Sequence, residues 1–264
     1  MIVLAENPLI TWEKLPDDFP IADDPVDNIA QPYLAEGLTD SLEIANLLPE
    51  NSLVASNYPI CATLGGKVVL KAPDWMYVPN IKVSLTEVNR SYTPQLQGEI
   101  PTIVMEFLSD TEGQEYSSKP TYPPGKWFYY EQVLKVPHYF IFEPKEGRLE
   151  AYQLDESGRY KLRQPDANNR YALEPWQLFV GVWQGTRRNR TGYWLRWWDH
   201  SGNLLPWGSE QIEQERQRTE QERQRAERAE KAQRESIPRL LDMGLSVEQV
   251  ANALGIPVEE VDNR

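Results

Sequence analysis

Two short apolar runs with one helical stretch between them limit this chain more than any other feature. The first, "PTIVMEFLSD" at 101–110, is β-branched and aliphatic and has the length of a buried strand. The second is "HYFIFEP" at 138–144, bounded by prolines. Between them "KWFYYEQVLKV" opens at Lys126 and sets Trp127, Tyr130, Val133 and Leu134 at spacings that suit an amphipathic helix, with Pro137 as its stop. A helix joining two buried strands is a crossover, and a crossover calls for a parallel or mixed sheet with helices against it.

The preceding segments extend that sheet. "SLVASNYPICATL", "KVVLKAP" and "WMYVPNIKVSL" are rich in Val, Ile, Tyr and Leu and read as strands, with a hairpin at Gly65-Gly66 and a break at Pro73-Asp74. Residues 88–100 lack apolar periodicity and read as a loop, whereas "GRLEAYQLDESGRYKLRQP" alternates as a hairpin turning at "DESG". A first helix is expected at "TDSLEIANLL", capped by Thr39 or Asp40. The proline-rich, acidic residues 1–35 read as an extended arm.

Beyond a Trp-dense stretch that should wrap the core, the character changes. "EQERQRT", "EQERQRA" and "ERAEKAQ" repeat every seven residues from 213 to 233, with Glu and Arg three or four apart. The seam of Ile212, Thr219 and Ala226 has no consistent second apolar position, so the segment reads as a solvated helix, with a weak coiled coil and homo-oligomer as the sharper reading. "SIPRLLDMGLSVEQVANALGIPVEEV" resumes amphipathic spacing, with Ser246 as an N-cap and Gly244 and Gly255 as C-caps. It is similar to a helix-turn-helix pair, though its acidic end equally suits a helical hairpin that packs on a partner. The expected divisions are an arm at 1–35, a core domain at 36–208, a charged helix at 209–235 and a helical tail at 236–264.

Composition narrows the function classes. Cys61 is the single cysteine of 264 residues, which removes an intramolecular disulfide framework and a cysteine zinc site and favours a reducing, cytoplasmic setting. Cys61 itself reads as a small core residue. No signal peptide is apparent, and no segment approaches the roughly 18 apolar residues of a membrane span. A net charge of -13 argues against a general polyanion binder, although a local basic groove is compatible with it.

Glu106 stands inside the first apolar run, where an ionised carboxylate is costly unless it is paired or binds a metal. A plain salt bridge to a lysine, or an outward position at a sheet edge, would also account for it. Asp74, at a break between strands, could converge with Glu106 on a hard cation such as Mg2+. Lys126 and Lys119 follow and could orient a nucleophile or stabilise phosphate charge. Asp, Glu, Lys and Mg2+ together suit phosphodiester hydrolysis.

These residues resemble the Uma-type restriction endonuclease family, a branch of the PD-(D/E)XK nuclease superfamily. The resemblance spans roughly 36–185 and rests on Pro73-Asp74, "EFLS" at 106–109 and "KWFYYEQVLKVPHYFIFEP" at 126–144. It implies a restriction endonuclease-like α/β fold, a mixed central sheet flanked by helices. It also implies a Mg2+- or Mn2+-dependent DNA endonuclease with Asp74 and Glu106 as metal ligands. The superfamily lysine belongs two residues after the acidic one, where this chain has Leu108; Lys126, then Lys119, is the substitute. The alternative is a catalytically inactive nuclease fold serving as a nucleic-acid-binding or helical assembly module. The superfamily glutamate on the first helix would be Glu43, for which a solvent-facing role is the simpler reading. Ser109 and Asp110 read as turn formers that could bind phosphate, and Tyr130 as a packing residue. His138 and His200 have no metal-ligand spacing.

Overall fold

The computed structural model describes residues 9–16, 19, 30–109 and 115–262. It divides into two compact units, Met1–Trp207 and Gly208–Arg264. The first unit opens with β1 (Ile10–Thr11), α1 (Ala30–Ile44), β2 (Leu53–Ala55), β3 (Ile60–Leu64), β4 (Lys67–Lys71) and β5 (Trp75–Val78). After a long loop come β6 (Ile103–Phe107), α2 (Lys126–Phe128), β7 (His138–Glu143), β8 (Arg148–Leu154) and β9 (Tyr160–Leu162). Then follow β10 (Arg170–Leu173), β11 (Leu178–Arg187) and β12 (Arg190–Trp198). The second unit holds α3 (Gly208–Asp242), α4 (Val247–Leu254) and α5 (Val258–Asp262).

Six strands form the central sheet in the order β2-β5-β6-β7-β8-β9. Only β6 and β7 run parallel among these pairings, as the helix between them requires. Side-chain alternation along β6 divides its residues between two cores. Ile103, Met105 and Phe107 face α1 and its Leu34, Leu38 and Leu42, whereas Val104 packs with Met76, Tyr130 and Tyr139 on the other face. Glu106 shares parity with Val104, so it enters the second core. The three-stranded sheet β10-β11-β12 covers α1 from outside. Trp197 Nε1 donates to Leu38 O at 2.9 Å and Trp207 Nε1 to Gly37 O at 3.1 Å.

The first helix begins earlier than its sequence pattern suggests. It is already formed at Ala30, so the last residues of the expected arm are helical; residues 1–8, 17–18 and 20–29 of that arm lie outside the described residues. Pro32 falls in the first turn, where its missing N–H costs nothing. Gly37 looks like a breaker but serves packing, since a Cβ there would lie 3.1 Å from Trp207 Nε1. Thr39 is mid-helix rather than a cap: its hydroxyl donates to Ala35 O at 3.1 Å and accepts from Trp75 Nε1 at 3.0 Å. The helix ends at Ile44, short of the expected Leu48.

The stretch read as one strand from Ser52 to Leu64 is two strands in two sheets. Asn57 adopts a positive φ of 48°, which breaks the extension, and β3 and β4 leave with β1 to form a separate three-stranded sheet. Gly65 and Gly66 make the expected hairpin turn with φ of 54° and 75°. The "DESG" hairpin is present too, with Asp155 Oδ1 accepting from Ser157 and Arg159 backbone N–H groups.

In the second unit α3 continues to Asp242 through Pro238, so no break falls at 235–236. The turn survives the lost hydrogen bond because Ile237 is buried against Val250, Ala251 and Val261. Ser246 caps α4 in a capping box with Gln249, and Gly255 ends it with φ of 66°. Among the described residues no helix is long and apolar enough to cross a membrane.

Candidate active site

The strand register brings the two acidic residues together. Trp75 pairs with Met105 in the antiparallel β5-β6 ladder, so one step further sets Asp74 opposite Glu106, on the same face. Pro73 ends the extension from β4, and its carbonyl accepts the Asn57 N–H at 2.9 Å. Asp74 therefore sits in a bend at the mouth of β5. Its Oδ2 accepts the Phe107 N–H at 2.6 Å.

Lys126 reaches this pair from the first residue of α2. Its Nζ lies 2.8 Å from Glu106 Oε2 and 3.3 Å from Glu115 Oε1. The start of α2 is fixed by Gly125, because a Cβ there would collide with the Ser117 carbonyl. Four residues on, the Tyr130 hydroxyl donates to Glu106 Oε1 at 2.8 Å from a π-helical turn, Tyr129–Leu134. Glu106 is completely buried, so both its oxygens face protein donors instead of water.

Burial, with Asp74 alongside, pushes the Glu106 carboxyl up to about 8 against the pull of Lys126. Burial also raises Asp74, an effect eased by the Phe107 N–H. Burial alone would lower Lys126, but the Glu106, Glu115 and Asp74 carboxyls overcome it and hold the ammonium above lysine's usual value. The shifts weaken one partner's charge and strengthen the other's. The lysine stays charged, because the Glu106, Glu115 and Asp74 carboxyls all act on one ammonium.

Asp74, Glu106 and Lys126 thus meet; Lys119 does not join them. It is exposed in the preceding loop, where its carbonyl accepts the Gly125 N–H at 3.0 Å. Its charge nevertheless acts on Lys71 of β4, which burial, Lys126 and Lys119 hold below lysine's usual value while Glu106 and Glu115 oppose them. Glu43 is exposed on α1; the α1 residue near the end of β6 is Gln31, whose Nε2 donates to Phe107 O at 2.7 Å. Leu108 packs at the edge of the second core. Asp110 lies outside the described residues. His138 is buried, His200 exposed, and Cys61 is a buried free thiol.

Sequence reasoning missed Glu115, Lys71 and Gln31 and treated Tyr130 as packing. For Tyr130 a signal existed, since residues four apart on a helix share a face and Lys126 stands four residues before it. Glu115 lies in a segment with no period to orient it, and Gln31 stands in the first turn of α1, whose start Pro32 and Gly37 conceal.

The donor set fits a hard divalent cation: all its candidate ligands are carboxylate oxygens, and a cationic ammonium already rests on Glu106 Oε2. Among the described residues no three His, Cys, Asp or Glu side chains are grouped to hold a metal by themselves. That is compatible with Mg2+, which keeps several waters and takes one or two carboxylates.

The first unit is a mixed α/β fold whose six-stranded central sheet buries Glu106 beside Lys126. The family model "Uma2: Putative restriction endonuclease" matches residues 38–182, and the chain belongs to that family. Among solved structures it is similar to a "putative nuclease belonging to DUF820" from Anabaena variabilis ATCC 29413, at 12% identity over 58% of this chain and 76% of that one, with a TM-score of 0.38. No curated protein matches the chain.

Proposed function

We propose that the protein is a Mg2+- or Mn2+-dependent DNA endonuclease, with Asp74 and Glu106 as the metal ligands and Lys126 as the catalytic lysine. The observation that carries this reading is the 2.8 Å approach of Lys126 Nζ to Glu106, from a helix rather than from the Leu108 position. When bound, the ion would lower the pKa of a coordinated water and neutralise phosphate charge. Asp74 and Glu106 supply oxygens from adjacent strands, a rigid base for such a site. Lys126 stays charged, so it acts as a donor to a phosphate oxygen or to the attacking water, not as a general base. Its side chain is 20% exposed, which leaves the ammonium within reach of a substrate.

Lys71 and Lys119 answer the objection raised by the acidic composition. The Lys126 and Lys119 charges both act on Lys71, in a chain of net charge -13. We assign Lys71 and Lys119 phosphate contacts. The test is cleavage of supercoiled, linear and single-stranded DNA with Mg2+ or Mn2+. Wild type should cleave, and Asp74→Ala and Glu106→Ala should each lower the rate at least about 100-fold, by analogy with the loss of a single transition-state stabilising group. Equal cleavage by all three proteins would mark the activity as a contaminant and end the proposal.

A further inference from the structure

The hydroxyl of Tyr130 has a use that packing does not explain. Its ring is completely buried, 5.9 Å from the Tyr129 ring and 5.2 Å from the Tyr139 ring between centroids, and a phenylalanine would fill that space. Its hydroxyl instead spends its hydrogen on Glu106 Oε1 at 2.8 Å. Lys126, one turn earlier, takes Oε2 at 2.8 Å, so a single helical segment holds both oxygens of one carboxylate by different donors.

The two donors differ in how they can yield. The ammonium is a mobile end of a flexible stem, partly exposed, and a cation arriving at Oε2 replaces like with like. The phenol lies in a fully buried ring cluster, and the segment that carries it is held at two neighbouring residues. Tyr130 O accepts the Val136 N–H at 2.9 Å, and the next residue, Glu131, accepts the Tyr160 N–H at 2.7 Å and Arg159 Nη1 at 3.1 Å.

We propose that Tyr130 is a positioning residue that occupies one oxygen of Glu106, so that the carboxylate offers a cation a single oxygen and the site favours a small hexacoordinate ion over a larger one. Mg2+ demands a near-ideal octahedron, whereas Ca2+ takes six to eight oxygens and can use both oxygens of one carboxylate. The inference rests on the proposed metal role of Glu106. Outer partners of metal ligands shift affinity by about 10- to 100-fold when removed.

Calorimetric titration of the full chain with Mg2+ and with Ca2+ tests it, comparing wild type with Tyr130→Phe. The variant should shift the ratio of the two affinities toward Ca2+ by about 10-fold or more. An unchanged ratio in a folded variant overturns the assignment to Tyr130 and leaves the metal reading standing. No uptake of Mg2+, Mn2+ or Ca2+ by wild type overturns both. Should Tyr130→Phe fail to fold, infrared difference spectra of wild type with and without Mg2+ decide. A one-oxygen carboxylate signature absent from Glu106→Gln supports the proposal, and a two-oxygen signature with the same dependence overturns it.

Discussion

The chain pairs acidic with basic side chains in two places, and the pairs do opposite work. On α3, Arg223 meets Glu220 at 2.9 Å and Glu227 at 3.2 Å with every partner about half exposed or more. Beside β6, Lys126 meets a Glu106 that is wholly buried. The distances are nearly the same. What differs is solvent: water screens the first set, so each pair adds little to the helix, while the second has lost hydration that nothing but its partners replaces. The helix keeps its shape by redundancy along the repeat; the site depends on each member.

The largest break in that comparison is Lys126→Met. It leaves buried carboxyls without their cation, and we expect a loss of about 3–5 kcal/mol in urea unfolding together with loss of any metal-dependent cleavage. Next is Gly37→Val in α1, where the added groups press on Trp207 and Arg187. That overpacking should cost about 1–3 kcal/mol in thermal unfolding, although valine is the better helix former.

His138 sharpens the buried side of the comparison through pH. Burial, aided by Arg163, lowers it from 6.5 to about 4. The folded protein keeps it neutral while the unfolded chain binds a proton, so its contribution falls as pH drops from about 6.5 through about 4. His138→Gln should therefore lose less stability than wild type between those values in parallel denaturant titrations. The smallest effect is Arg223→Ala, a slight lowering of the helix melting temperature that fades further in high salt, read by helical circular dichroism.

Much of the site was legible because strands have a period of two. Once Asp74 began one strand and Glu106 stood late in another, an antiparallel pairing placed them together on one face. The identity of the lysine could be narrowed but not decided, since Lys119 and Lys126 flank one loop and only the collision that fixes Gly125 aims the second at Glu106. Glu115 was invisible for the same reason in reverse: its neighbours show no period, and what brings it to Lys126 is the anchoring of its carbonyl by Tyr139 Oη at 2.9 Å. The early start of α1 was hidden by Pro32 and Gly37, two residues that usually argue against helix and here suit a first turn and a close packing contact.

By itself the sequence determined the crossover, the parallel strand pair, the acidic residues facing one core and the charged helix with its capped tail. These follow from local periodicity, turn chemistry and caps, which act within a few residues. Tertiary structure alone decided that β3 and β4 would leave the central sheet, that α1 would be enclosed between two sheets, and that Tyr130 and Lys126 would divide the oxygens of Glu106. Those outcomes depend on hydrogen bonds and packing between segments far apart in the chain, and no local pattern encodes their distances.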